Sequence, residues 1–274
     1  MPSQLVNAYF RRDRLPHIWC PGCGNGIVVR AVVQAVSNLK LDKDRICLVA
    51  GIGCSSRAAG YLDFNTIHTT HGRALAFATG VKLANPELDV LVIAGDGDAA
   101  AIGGNHLIHA ARRNINITTV IFNNSIYGMT GGQYSPETPR GEFGTTAPYG
   151  NIDEPFDIGK LVDAAGATYV ARGTVYHAKQ LARLIENGIR NKGFSLIEAI
   201  SICPTYYGRK NRKGNAVDML RYQRDNAVNV GIAGKMTPEQ LQGKIITGVL
   251  KNTKRREYTE EYQKILNKFT EASL

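Results

Sequence analysis

The sequence predicts an α/β protein built on a doubly wound, mostly parallel sheet, and three observations carry that prediction. Short apolar runs of strand length alternate with helix-length segments along most of the chain, the pattern of a parallel sheet with helices on both faces. Two of those runs, residues 90–94 and 117–122, are apolar but for Thr118 and Thr119, as strands buried on both faces nearly are. Each breaks into a polar loop: Gly95-Asp96-Gly97-Asp98 after the first, Asn123-Asn124 and the glycine-dotted stretch 125–133 after the second. The ends of parallel strands are where α/β proteins hold ligands.

In chain order, residues 1–16 carry no clear periodicity and read as an arm. Trp19-Cys20-Pro21-Gly22-Cys23-Gly24 is a tight loop, and 27–39 is a helix whose Ile27, Val28, Ala31, Val32, Ala35, Val36 and Leu39 follow the spacing of a buried face. A strand over 46–50 opens into Gly51-Ile52-Gly53-Cys54-Ser55-Ser56-Arg57. After a short strand near 66–69, His71-Gly72-Arg73 opens a helix that runs to about Ala84 and is ended by Pro86. Beyond the central stretch, 145–155 is a loop, 156–165 a helix, 168–171 a strand, 177–191 a helix and 194–200 a strand that delivers Cys203. Residues 1–204 are thus expected to form the main domain. Residues 205–274, with the basic run Arg209-Lys210-Asn211-Arg212-Lys213 and one or two amphipathic helices over 238–269, read as an extension packed on that domain or on a partner.

At 274 residues and 43% hydrophobic, the chain can bury a substantial core. No apolar run approaches the ~20 residues that span a bilayer, and Arg11, Arg12 and Arg14 are followed by no apolar segment of signal-peptide type. A cytoplasmic protein is expected. The net charge of +10 suits nucleic acid, acidic proteins or anionic small molecules. A nucleic-acid binder, however, would leave Asp96, Asn124 and the cysteines without a role.

Five cysteines in such a chain argue against a disulfide framework. Cys47 lies inside the apolar run 46–50 and reads as a buried structural thiol. Cys20, Cys23, Cys54 and Cys203 all neighbour turn residues, where thiolates are available as ligands. Four thiolates suit either a structural zinc ion or an iron–sulfur cluster, and spacing alone does not separate the two. At the central loops, the Asp96 carboxylate and Asn124 amide offer oxygens to a hard cation such as Mg²⁺, while the flanking glycines let backbone close on a diphosphate.

Gly95-Asp96-Gly97 followed by Asn123-Asn124 resembles the thiamine-diphosphate motif. In that motif Asp96 and Asn124 would bind Mg²⁺ by side chain and Ile126 by its carbonyl. Cys20, Cys23, Cys54 and Cys203 match the ligands of the [4Fe–4S] cluster in 2-oxoacid:ferredoxin oxidoreductases. Five segments resemble the β subunit of that family in the same order, over about residues 16–230: 19–24, 51–55, His71-Gly72-Arg73-Ala74, 126–133 and Ile202-Cys203-Pro204. The chain looks most like a 2-oxoglutarate:ferredoxin oxidoreductase β subunit. The resemblance implies a thiamine-diphosphate-type domain that oxidatively decarboxylates a 2-oxo acid with coenzyme A, passing electrons through the cluster to ferredoxin. Pyruvate or a branched 2-oxo acid is the alternative substrate, and a non-catalytic electron-transfer protein the alternative class.

The same resemblance assigns a cofactor wall to Ile52, Gly53, Cys54, Ser55, His71, Gly72, Gly95, Gly97, Asp98, Gly128, Met129 and Thr130. The Thr130 hydroxyl falls on the diphosphate, and Met129 props the ring or shapes the substrate pocket. His71 takes a proton-transfer or substrate-contact role. Arg57 sits where relatives that handle a dicarboxylate carry a basic residue for the distal carboxylate. The glutamate that activates the cofactor pyrimidine matches nothing here and is implied to come from an α subunit. The run 209–213 reads as a solvated face, or as a contact for acidic ferredoxin or coenzyme A phosphates.

Overall fold

The computed structural model describes residues 4–271, so the first three residues of the expected arm lie outside it. Chain order runs α1 (Gln4–Tyr9), α2 (Asn25–Leu39), β1 (Ile46–Ala50), α3 (Ala58–Tyr61), β2 (Asn65–His68), α4 (Ala74–Ala84), β3 (Asp89–Gly95), α5 (Gly104–Arg113) and β4 (Thr118–Asn123). It continues through β5 (Ile126–Tyr127), β6 (Gln133–Tyr134), α6 (Ile158–Ala165), β7 (Tyr169–Thr174), α7 (Ala178–Arg190) and β8 (Ser195–Ile200). The remainder is α8 (Ala216–Asn226), β9 (Ala227–Asn229), α9 (Val230–Ala233), α10 (Pro238–Leu241), β10 (Ile245–Asn252) and α11 (Tyr258–Glu271).

Eight strands form one sheet in the order β2-β1-β3-β4-β8-β7-β10-β9, and the first six run parallel. Alternate strand residues feed two cores, as the pleat requires. Leu48, Ala50, Leu91, Ile93, Val120 and Phe122 pack under α2 and α7. Cys47, Val49, Val90, Val92, Ala94 and Ile121 pack under α4, α5 and α6. Cys47 is buried, as its place in an apolar run predicts. The chain leaves β1 for β2 on one side and returns to place β3 on the other. The crevice above β1 and β3 is therefore a topological switch point.

The expected helical reading of 238–269 is corrected in its middle. α10 and α11 are present, but β10 lies between them and extends the main sheet antiparallel to β7. β9, also from the 205–274 segment, pairs parallel with β10. No helix among the described residues is long and apolar enough to cross a membrane.

Candidate active site

The carboxyl ends of β1, β3, β4 and β8 deliver their loops to one edge of the sheet. There they enclose a cavity of about 260 Å³. Its lining includes Ile52, Gly53, Cys54, Ser55, His71, Gly95, Asp96, Gly97, Asp98, Asn124, Ile126, Gly128, Met129 and Thr130. Gly72 does not line it; its N–H instead donates to Asp98 Oδ1 at 2.7 Å. Arg57 is also absent from this wall, and the structure puts it at an adjoining cavity.

Asp96 is buried and accepts from Ser135 Oγ at 2.5 Å. Burial pushes its carboxyl up to about 7. A carboxylate so desolvated, in a cavity that Asn124 and Ile126 also line, offers with their oxygens a donor set suited to a hard divalent cation that offsets its charge. Two glycines make the crevice possible. A Cβ on Gly51 would lie 1.7 Å from Asp98 Oδ2, and one on Gly97 would lie 2.2 Å from the Tyr127 ring, whose hydroxyl donates to the Gly97 carbonyl at 3.1 Å.

Asp98 is buried and organises the opposite wall. Its carboxylate accepts from the backbone of Gly72 and, at 3.3 Å, of Ile52, and meets His71 Nδ1 at 2.6 Å. The imidazole is partly exposed and lies edge-on to Tyr127, with ring centroids 6.0 Å apart. Held by a carboxylate at one nitrogen, it presents the other to the cavity side.

Sequence reasoning missed the support beneath these loops. Asn123 turns inward and donates to Glu137 Oε2 at 3.0 Å and Glu198 Oε1 at 2.7 Å. Arg172 joins Glu198 and Asp157, each at 2.7 Å. Glu137 lies in a loop, 14 residues from Asn123 and much farther from Glu198, so no local pattern reveals it. Burial, with Glu198 and Asp96 near, pushes the Glu137 carboxyl well above the usual range. A group protonated in the fold and ionised in the unfolded chain holds more protons when folded. Its contribution therefore falls as pH rises from its ordinary value toward the raised one. Glu137→Gln keeps an acceptor for Asn123. Its Tm, measured without cofactors, is expected to gain on the parent's by several degrees between about pH 5 and about pH 8, at roughly 2–4 °C per kcal/mol for a chain of this size. A difference that does not move with pH would refute a protonated Glu137.

Asn25 was also missed. It is fully buried in the first turn of α2 and lines the main cavity. Its Oδ1 accepts from Ser201 Oγ at 3.1 Å, whereas its Nδ2 and the buried Ser55 Oγ have no hydrogen-bond partner. Two orphaned donors facing one cavity are a costly arrangement unless a ligand accepts from them.

A second cavity, of about 220 Å³, is ringed by all four loop cysteines and also lined by Arg57, Trp19 and Tyr206. It shares Cys54, Asn124, Gly128 and Met129 with the first. The Cys20–Gly24 loop is tied to the Cys203 loop by the Gly24 N–H donating to Ile202 O at 3.1 Å. Trp19 Nε1 holds the Cys54 carbonyl at 2.7 Å. Burial, reinforced by the neighbouring cysteines, pushes Cys23 up to about 12 and Cys54 up to about 11. A Cβ at Gly128 would sit 3.6 Å from Cys54 Sγ and 3.7 Å from Cys203 Sγ, so glycine keeps this wall clear of the sulfurs. Among the described residues, no three His, Cys, Asp or Glu side chains converge as ligands of a single ion do. Four thiols around one cavity are a ligand set that either a zinc ion or an iron–sulfur cluster uses.

Fold and cavity together define a domain that binds a diphosphate cofactor at a switch point beside a cysteine-ringed chamber. Residues 51–199 match the family described as thiamine pyrophosphate enzyme, C-terminal TPP binding domain. The 2-oxoglutarate synthase subunit KorB of Methanothermobacter marburgensis is 58% identical over 249 residues, covering 91% of this chain and 87% of that protein. Its counterpart in Methanocaldococcus jannaschii is 52% identical over 260 residues, covering 95% and 96%. A solved structure, the 2-oxoglutarate:ferredoxin oxidoreductase from Magnetococcus marinus with 2-oxoglutarate, coenzyme A and succinyl-CoA bound, superposes with a TM-score of 0.87 at 34% identity, over 98% of this chain and 92% of that one. The chain belongs to the β-subunit family of the 2-oxoglutarate:ferredoxin oxidoreductases, also called 2-oxoglutarate synthases.

Proposed function

We propose that this chain is the cofactor-holding half of an enzyme that oxidises 2-oxoglutarate with coenzyme A to succinyl-CoA and CO₂ and passes the electrons to ferredoxin. The observation that carries this reading is the shared wall. A cavity anchored by Asp96 and Asn124 and a cavity ringed by Cys20, Cys23, Cys54 and Cys203 have Cys54, Gly128 and Met129 in common. Thiamine diphosphate, when bound, supplies the carbanion-stabilising ring for decarboxylation, and a [4Fe–4S] cluster beside it the one-electron acceptor.

The chain's own residues take the following parts. Asp96, Asn124 and the Ile126 carbonyl would hold Mg²⁺ and through it the diphosphate, and the Thr130 hydroxyl, which here donates to Gln133 Oε1 at 2.6 Å, lines the same cavity. Asn25 Nδ2 and Ser55 Oγ would donate to the bound cofactor and so lose their orphaned state. His71, fixed by Asp98, holds or moves a proton at its free ring nitrogen. Ile52, Met129 and Phe122 keep water from the ring. The lining of the main cavity contains no glutamate, which supports a site completed by an α subunit that supplies the pyrimidine-activating carboxylate.

One 2-oxo acid and one coenzyme A thiol yield a thioester, CO₂, a proton and two electrons. Reduction of a viologen dye by the αβ complex across a panel of 2-oxo acids tests the reading. Activity greatest with 2-oxoglutarate and dependent on coenzyme A is expected, with none from the β chain alone. Substantial turnover by the isolated chain would overturn it. Arg57 is exposed and lines the second cavity together with the four cysteines. A guanidinium there suits a distal carboxylate. Arg57→Ala is expected to raise KM for 2-oxoglutarate by roughly 10-fold or more, the effect of losing a charged hydrogen bond, and to leave KM for pyruvate nearly unchanged. Equal effects on both would remove Arg57 from that role.

A further inference from the structure

The cysteine-ringed cavity reaches solvent at one edge. Cys20, Pro21 and Gly22 are exposed, whereas Cys23 and Cys54 are half-buried and Cys203 is buried. This loop is pinned to the next part of the chain. A Cβ on Gly22 would lie 2.5 Å from Ala216 Cβ and 3.8 Å from Pro204 Cγ. The segment between those two contacts carries the basic run. After the π-helical turn Pro204–Gly208, Arg209, Lys210, Arg212 and Lys213 all stand on the surface.

The run is not a loose loop. Asn211 exchanges two hydrogen bonds with the Phe143 backbone, at 2.7 and 3.1 Å, and Lys213 is paired with Glu142 at 2.6 Å. Lys210 and Arg212 line a cleft of about 660 Å³ together with Arg140 and the half-exposed Phe143. Among the described residues, neither Lys210, Arg212 nor Arg209 has a carboxylate at salt-bridge distance. Arg57 also lines the cysteine cavity and, with Arg11 and Arg14, a separate cleft. Arg140 is paired with Glu154 at 2.8 Å, as Lys213 is with Glu142, so the uncompensated charge is that of Arg209, Lys210 and Arg212. Three such cations on a braced segment near an exposed cysteine edge are a directed field rather than a solvated face.

We propose that this platform, Arg209 to Lys213 with Arg140 and Phe143, is the docking surface for an acidic one-electron carrier protein of the ferredoxin class. The proposal rests on the electron-delivering function given above. Electron transfer falls off exponentially with distance, so a carrier must seat over the exposed Cys20 edge, and the contacts through Gly22 fix the basic run beside that edge. Each 2-oxo acid oxidised releases two electrons. Two carriers must therefore dock in turn, each leaving reduced by one electron. Turnover of that kind needs fast, brief encounters, which complementary charge supplies and a large apolar interface does not.

The test uses the αβ complex carrying Lys210→Glu and Arg212→Glu together, with an acidic ferredoxin as probe. Equilibrium binding of oxidised ferredoxin and its KM are both expected to weaken by about tenfold or more at low salt, with a flatter salt dependence than the parent's. Viologen reduction with 2-oxoglutarate and coenzyme A should stay at the parent level. Unchanged ferredoxin binding would overturn the proposal. So would loss of viologen reduction, or dissociation of the two subunits, since either assigns these side chains to subunit assembly. If the parent complex reduced no dye with any 2-oxo acid, the functional reading would fail instead, and the ferredoxin binding constants would still decide the docking surface.

Discussion

Asp96→Asn is expected to give a cofactor-free chain that is more stable than the parent at neutral and alkaline pH and yet does not load thiamine diphosphate. The two halves of that result share one cause. Burial raises the Asp96 carboxyl from its ordinary value to about 7, and its side-chain partner among the described residues is the Ser135 hydroxyl. An acid whose folded-state pKa is raised binds more protons in the folded than in the unfolded chain. The parent therefore loses stability as pH rises through the window from the ordinary value to about 7. An asparagine of the same shape does not titrate and can still bond Ser135. At about pH 8 the variant should exceed the parent by on the order of a few kcal/mol, and at about pH 4 the two should converge. Adding thiamine diphosphate and Mg²⁺ reverses the order. Ligand at roughly 1,000 times its Kd stabilises the parent by about 4 kcal/mol. Losing the only carboxylate of the donor set should cost more than the roughly 10–100-fold in metal affinity that loss of a residue behind the ligands does. Thermal unfolding across pH, with and without cofactor, reads both effects. An asparagine variant whose Tm still climbs with thiamine diphosphate and Mg²⁺ would remove Asp96 from the metal.

Cys203→Ser is expected to separate the two cavities. Cys203 lines the cysteine-ringed cavity but not the main one, whereas Cys54 lines both. The variant should keep its thermal shift with thiamine diphosphate and Mg²⁺ while losing the broad visible absorption of an iron–sulfur chromophore. Dye reduction by its αβ complex should drop to that of the enzyme-free control. Serine is close to cysteine in size, so the buried position should accept it and the fold should persist. Full visible absorption with one cysteine missing would show that Cys203 is not a ligand. A colourless parent holding one zinc per chain would replace the cluster by a structural ion.

The sequence by itself determined the strand–helix alternation, the loops at the strand ends and the residues on them. Strands buried on both faces are mainly apolar, so β3 and β4 stand out, and a parallel sheet brings their carboxyl ends to one edge. Eleven of the twelve residues expected on the cofactor wall, and the three expected Mg²⁺ ligands, line one cavity for that reason. The four cysteines meet because the loops after β1 and β8 and the loop before α2 open at the same edge, although nearly the whole domain separates Cys20 from Cys203. β10 was illegible for a local reason. Ile245, Ile246, Val249 and Leu250 fall at helical spacing, and the register shift between Val249 and Lys251 destroys the two-residue alternation of a strand.

Only the tertiary structure decided what lies behind the site. The Asn123–Glu137–Glu198–Arg172 network and the orphaned donors of Asn25 and Ser55 depend on which side chains are desolvated together, and burial is a property of packing that no short motif carries. The same holds for the basic run. Its charge is plain in the chain, but its place beside the exposed edge of Cys20 is set by Gly22 resting on Ala216, a contact between residues far apart in sequence.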